Sequence, residues 1–364
     1  MKKPGNRIKR WGFGPTFFFA AILFNSNALA DYELFGRMST DLISEPEPIK
    51  TTLSDWGEDF DGGERQWALA KVEAGFRLQS GIEVSVFSRA LADLRMNEDA
   101  VRFYGKIARK EALKNGTSVP VKIEVNGFSG SGLRLGYGYS SNDWALSGGL
   151  SIFQANHLMA GQLGGQFSAI GDSDYNFDAE VDYAYYRDVI FKRPDISKAS
   201  GLGWSADLAL SWQPQNWLLS LRAEDLFARV KWEDAPFTVA TASTDQKSFD
   251  EDGYAVFAPL LSGREGYRNN FFQDLDARYY LAAEHQWNHW RALARGQYQF
   301  GYGFAGVGVG YQFSNGTTVN GLYWPKHDLF GVELNHGSWA ASVAVDQPEW
   351  QRMRSLMLGI SYGY

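Results

Sequence analysis

The chain contains no cysteine. That excludes a disulfide framework, a zinc–thiolate centre and a cysteine nucleophile. It has only five histidines, so imidazole-based metal and acid–base constellations have few places to form. Long hydrophobic runs are missing as well: a helical membrane span needs about 20 consecutive apolar residues, and only the extreme N-terminus of the 364 residues comes near one. There is no basic surplus. The net charge of −7 gives no reason to expect a nucleic-acid partner. Disorder is excluded in turn by what is abundant, since aromatic residues make up 15% and charged residues only 21% of the chain.

Residues 1–30 read as a secretory signal peptide. Lys2, Lys3, Arg7, Lys9 and Arg10 form a basic n-region, Phe17 to Phe24 a short apolar core, and Ala28-Leu29-Ala30 a small-x-small site that places cleavage before Asp31. The leader carries five basic and no acidic residues, so the mature chain has a net charge of −12.

Most of the mature chain alternates apolar and polar residues with period two, the signature of strands with one greasy face. At the C-terminus Leu356, Leu358, Ile360, Tyr362 and Tyr364 fall on one face, opposite Ser355, Met357, Gly359, Ser361 and Gly363. In 202–213 Leu202, Trp204, Leu208, Leu210 and Trp212 oppose Gly203, Ser205, Asp207 and Ser211. Segments 131–140, 277–287 and 290–300 repeat the pattern. Many of these strands are about ten residues long, enough to cross a bilayer at a tilt. Trp144, Trp204, Trp212, Trp217, Trp290, Tyr311 and Trp339 sit near strand ends, as interfacial girdles do.

A signal peptide, serial alternating strands and a terminal strand ending on an aromatic residue resemble a Gram-negative outer-membrane β-barrel protein. The resemblance is to a class, over nearly the whole mature chain. It implies location in the outer membrane, and contact with its lipid and lipopolysaccharide. It also implies recognition by the barrel-assembly machinery through Leu356, Leu358, Ile360, Tyr362 and Tyr364. A long-chain fatty-acid uptake barrel has a similar strand count, but the Asn-Pro-Ala motif of that family's plug is absent here.

The expected fold is therefore all-β: a transmembrane antiparallel up-and-down β-barrel of about fourteen strands (twelve to sixteen) with a small helical insert. The strands expected are 67–79, 82–94, 131–140, 144–153, 176–190, 202–213, 217–231, 277–287, 290–300, 303–313, 317–324, 328–335, 338–346 and 355–364. Residues 31–66, acidic and turn-rich, are expected as a periplasmic or plug segment. Inserts 95–130 (with helical spacing over 98–114) and 154–175 fall by parity on the periplasmic side, folding into the lumen or capping its mouth, unless 121–127 or 162–170 is itself a strand. The loop 232–276 is expected outside, because outer-membrane barrels have short periplasmic turns and longer external loops.

Lumen-facing charges are the leading site candidates: Asp178, Glu180 and Asp182 on one wall, and Arg134, Arg222, Arg278, Arg291 and Arg295 on others. Opposed walls of this kind would set up a transverse field in a narrow pore; the plainer alternative is that they pair and fill the barrel. His285 and His289 lie beside Glu284, but across a strand end their spacing of roughly 13 Å is too wide for one metal. Gly301-Tyr302-Gly303-Phe304-Ala305-Gly306 matches a dinucleotide fingerprint, yet a strand follows where a helix is required. Asp250-Glu251-Asp252-Gly253 resembles part of a calcium loop without its remaining ligands. No catalytic residue, metal or cofactor is assigned. The reading is a narrow or partly plugged channel for passive uptake or export of a small solute or hydrophobic compound. The alternatives are a scaffold barrel for an exported polymer, pilus or conjugation system, holding a periplasmic partner through 31–66 and 98–130, or a rim hydrolase using His327-Asp328.

Overall fold

The computed structural model describes residues 32–54, 60, 62–194, 196–244, 248–249, 255–256 and 260–363. The leader with Ala28 and Ala30, the Asp250–Gly253 turn and Tyr364 lie outside the described residues.

The strands in chain order are Tyr32–Ser44 (β1), Arg65–Leu78 (β2), Ile82–Met96 (β3), Ser118–Ser141 (β4), Trp144–Ala169 (β5), Tyr175–Tyr185 (β6), Ser200–Trp212 (β7), Trp217–Glu233 (β8), Ala235–Ser243 (β9), Ser248–Phe249 (β10), Ala255–Val256 (β11), Leu260–Arg268 (β12), Phe271–Asp274 (β13), Arg278–Trp287 (β14), Trp290–Gln299 (β15), Tyr302–Gln312 (β16), Thr318–Trp324 (β17), Leu329–His336 (β18), Trp339–Val345 (β19) and Ser355–Tyr362 (β20). Two short helices, Ile49–Ser54 (α1) and Glu98–Ala108 (α2), and a 3-10 turn at Pro325–His327 complete the fold.

Fourteen of these strands close a barrel. β1 to β5 pair in succession, the first half of β5 pairs with β7, β7 with β8, β8 with β14, and β14 to β20 follow in order. β20 then pairs with β1 from Gly36↔Tyr362 to Ile43↔Ser355, which removes every free edge from the wall. Leu356, Leu358, Ile360 and Tyr362 thus occupy the closing strand, with Leu358, Ile360 and Tyr362 exposed on its outer face.

The outside of the wall is apolar. Leu133, Leu135, Leu150, Ile152, Leu281, Val307, Val309, Val332, Leu334, Val343 and Ile360 are all exposed. This band is rimmed by aromatic pairs: Trp144 on Trp212 at 5.2 Å, Trp290 on Tyr311 at 5.1 Å and Trp339 on Tyr362 at 4.9 Å at one end, Tyr323 on Phe330 at 4.6 Å at the other. From Tyr279 to Trp287 a strand rises about 26 Å, or roughly 20 Å of height once tilted by about 40°. An apolar belt of that height with aromatic girdles matches a bilayer core, not water.

The two rims differ. One carries the tight turns 79–81, 142–143, 213–216, 288–289, 313–317 and 337–338, together with the start of β1 and the end of β20. The other carries α1, α2, the 3-10 turn and a sheet extension. The later half of β5 (Met159–Ala169) runs past the barrel and pairs with β6, β6 with β9, and β9 with β12; β13 pairs with the last turn of β8.

Three expectations change here. Residues 31–66 are not wholly a periplasmic or plug segment, because Tyr32–Ser44 is the first barrel strand. Its inward positions Arg37, Ser39 and Asp41 and outward positions Leu34, Met38 and Leu42 alternate correctly, but the polar run through 44–66 obscures it. Segment 176–190 is not a barrel strand; its β6 belongs to the extension. These two errors cancel in the count of fourteen, yet each shifts parity. The inserts 95–130 and 154–175 therefore sit at the long-loop rim, where 121–127 and 162–169 are strand, with the Phe103 ring of α2 stacked 5.9 Å from Phe167 of β5. The Gly301 motif is a hairpin: Phe300 and Gly301 both have left-handed φ (54° and 72°), so a residue without a β-carbon at Gly301 eases the turn from β15 to β16.

Candidate functional site

Period-two alternation in a closed barrel sends one side chain in two to the lumen. Those side chains are strongly charged, and they pair in a belt around the wall. Glu73 accepts from Arg37 at 2.6 Å and Ser85 at 2.7 Å and lies 3.0 Å from Lys71. Glu83 holds Arg77 at 2.6 Å and Arg134 at 3.2 Å, and Arg134 reaches Asp207 at 3.3 Å. Asp225 pairs with Arg89, and with Arg278 at 2.7 Å; Arg278 also meets Glu224 at 3.0 Å. Arg295 bridges Glu284 at 2.7 Å and Glu333 at 3.3 Å, with Arg291 at 3.6 Å from Glu284.

Against this belt lies a cavity of about 1070 Å³. Its lining runs from the tight turn Leu78–Gly81 inward to Arg222, Glu224, Tyr280, Arg295, Trp324 and Glu333. The cavity does not continue to the other rim. Beyond it a single cluster of buried side chains crosses the lumen, contributed by β1–β5, β8 and β15–β19: among them Ile43, Trp67, Phe87, Phe128, Phe153, Trp232, Leu293, Phe304, Trp324, Leu329 and Ala344. No separate domain fills the barrel among the described residues; the seal is a layer of wall side chains.

Lumen-facing glycines seat the largest members of this layer. The Phe153 ring occupies the space that β-carbons at Gly130 and Gly203 would take, and the Trp324 indole lies against Gly306 and Gly331, where β-carbons would come within 2.6 and 2.8 Å of it. Small and large residues thus alternate across strands, as close packing requires.

At the long-loop rim His327 caps the layer. Its ring is 5.1 Å from Phe304, 5.6 Å from Tyr302 and 6.3 Å from Trp67. Tyr302 donates to Glu45 at 2.6 Å, Trp67 donates to Asp41 at 3.1 Å, and Lys326 stands 3.5 Å over the Tyr302 ring. Burial among these rings lowers the His327 pKa below the ordinary imidazole value, opposed by Glu45 and Asp346 and assisted by Lys326. The packed cap therefore holds the neutral form. Its stability is complete above the free-imidazole pKa of about 6.5 and declines as pH falls through and below it. Acidification from pH 7.5 to 5 is expected to loosen the cap, read as faster tryptic cleavage at Lys326, and His327→Gln is expected to flatten that dependence.

The structure places the expected lumen residues unevenly. Arg134, Arg222, Arg278, Arg291 and Arg295 all face the interior and join the belt. Asp178, Glu180 and Asp182 do not. They lie on β6 of the extension, where Asp178 and Glu180 are exposed and Asp182 pairs with Arg268 at 2.6 Å. The opposed-walls picture therefore gives way to interleaved charges. The inward carboxylates that matter are Glu73, Glu83, Asp207, Glu224, Asp225, Glu284 and Glu333. Strict parity within 82–96 would have revealed Glu83, Ser85, Phe87, Arg89 and Leu91 as one face, but apolar and polar residues occupy both faces there. His285 lies on the outer girdle 4.5 Å from Trp217, and Asp328 accepts from Tyr323 at 2.8 Å.

No family model matches the chain, and no curated protein matches it. Solved structures with similarity include the Pseudomonas putida toluene transporter TodX, at 11% identity over 92% of this chain and 90% of that one, with a TM-score of 0.40. They also include the CymD monoaromatic hydrocarbon channel, at 8% identity over 91% and 88%, TM-score 0.41. A third is the Ralstonia pickettii toluene transporter TbuX, at 9% identity over 92% and 89%, TM-score 0.30.

Proposed function

We propose that this protein is an outer-membrane channel for a small polar solute, closed in the conformation described, with its tight-turn rim in the periplasm and its long-loop rim outside. One observation carries the reading: a charged cavity of about 1070 Å³ enters the barrel from the tight-turn rim and ends against a layer of buried wall side chains. A barrier made of side chains opens by rotamer and turn movements, whereas a folded plug domain would have to leave. The charged wall favours polar over apolar solutes, because an apolar molecule gains nothing from a hydrated guanidinium–carboxylate surface.

The test is conductance in planar bilayers. Wild-type protein is expected to be silent or to open rarely. The double variant Trp67→Ala, Phe304→Ala, which removes two neighbouring rings 6.3 Å apart from the seal, is expected to conduct steadily. A double variant that shows the heat-modifiable band of a folded barrel and still passes no current would sink the channel reading.

A further inference from the structure

The mature chain is acidic, yet the surface that its lumen offers to a solute is not. Ion pairing in the belt is asymmetric in depth. Aspartate and glutamate have short side chains, so their carboxylates lie close to the wall. Arginine reaches on a longer stem and lays its guanidinium over them. The exposures follow that geometry: Glu73, Glu83 and Glu224 are 0%, 5% and 13% exposed, while Arg77 and Arg222 are 33% and 48% exposed. Other carboxylates depart from the pattern: Asp207 is 14% exposed against 7% for Arg134, Glu224 13% against 8% for its second partner Arg278, Glu333 26% against 16% for Arg295, and Glu33 is open at the very mouth, 3.9 Å from Arg77.

Arg222 is the most open cation of the cavity wall. Its guanidinium lies 4.4 Å over the Tyr280 ring, and its Nε is held by Glu224 at 3.3 Å, so the group is fixed while half of it faces the cavity. Glu224 in turn is shared with Arg278. A carboxylate divided between two arginines cannot neutralise either fully. A fixed, planar, multiply donating cation beside an aromatic ring is a seat for carboxylates and oxyanions.

We propose that the lumen cavity is an anion site, with Arg222 its principal contact, and that the solute of this channel is a small carboxylate or oxyanion. The inference deepens the channel reading and rests on it for the word solute, but the site can be tested without any current. The native chain has no cysteine, so a single introduced thiol reports alone. Ser220 lines the cavity two residues before Arg222 on β8 and faces the same way. Ser220→Cys protein, folded in detergent, would be modified with an anionic and a cationic methanethiosulfonate, each rate normalised to that of a free thiol in solution.

The anionic reagent is expected to be favoured by about three- to tenfold. Adding Arg222→Gln is expected to bring the ratio close to one, with the heat-modifiable band retained. A normalised ratio at or below one, or a ratio that Arg222→Gln leaves unchanged, would overturn the anion site. Anion preference at the thiol together with silent bilayers for the seal variant would leave the site standing and remove the channel. Current without anion preference would do the opposite.

Discussion

Replacing Asp225 with alanine is expected to cost the barrel about 3–5 kcal/mol, the usual penalty for removing one partner of a buried ion pair. Asp225 is 1% exposed, and both of its arginines, Arg89 and Arg278, are 8% exposed. Its position is unusual. On a regular strand Glu224 and Asp225 would point to opposite faces, yet both reach the lumen, because the β7–β8 register slips between Trp204 and Leu208 and Asp225 takes a left-handed φ of 59°. Bulges re-aim side chains in this way. Arg278 keeps Glu224 when Asp225 is lost. Arg89 keeps only the faces of Phe153 and Phe128, at 4.4 and 5.0 Å. It is therefore Arg89 that becomes an uncompensated buried charge. Adding Arg89→Met to Asp225→Ala is expected to restore a large part of the loss, since a buried pair removed as a whole is far less costly than half of one. Urea unfolding in lipid vesicles, followed by tryptophan fluorescence, measures both. A loss below about 1 kcal/mol for the single variant would show that water or another group replaces the carboxylate.

The second large effect is expected at Gly203. Any β-carbon there overlaps the Phe153 ring, which already packs close against Gly130 on the neighbouring strand β4. Phe153 is 2% exposed, so it has no free space to move into. Gly203→Val is expected to destabilise the barrel by about 2–3 kcal/mol through overpacking. Phe153→Leu alone leaves a void and is expected to cost about 1–2 kcal/mol. Together the two changes exchange volume across one strand pair, so the double variant should be more stable than the sum of the singles by about 1–2 kcal/mol. Strict additivity in the same unfolding measurement would mean that glycine at 203 serves the backbone alone and does not seat the ring.

The strands easiest to find from the sequence were those whose two faces differ most in polarity. β20 offers Leu356, Leu358, Ile360 and Tyr362 to one side and serine and glycine to the other, and β7 is as plain. β1 is harder to see, because its inward face mixes Phe35 and Ile43 with Arg37 and Asp41, which is what a strand at the edge of the seal requires. β6 reads like a barrel strand because a solvated sheet has the same period two. Alternation reports that a residue has a partner face, not which closed surface the face belongs to. Among the charges, the arginines of β4, β8, β14 and β15 lie on stretches whose pairing is regular, so parity alone puts them on the inner face, while Asp225 follows a bulge that no local pattern announces.

Period two, strands long enough to span, aromatic strand ends and the terminal strand together point from the sequence to a membrane-spanning barrel, because in lipid only a closed sheet satisfies the backbone of such strands; the count of fourteen agrees only because a missed β1 offsets a misplaced β6. They could not determine which segment closes the wall, which inward charges meet, or that a layer of rings crosses the lumen. Those depend on register and shear, which bring Asp225 to Arg89 across 136 residues and Gln299 to Asp41 across 258. Contacts at such separations are set by the closed geometry of the whole barrel, so only the tertiary structure could decide that the acidic chain encloses a cavity on whose wall Arg222 is the most open cation.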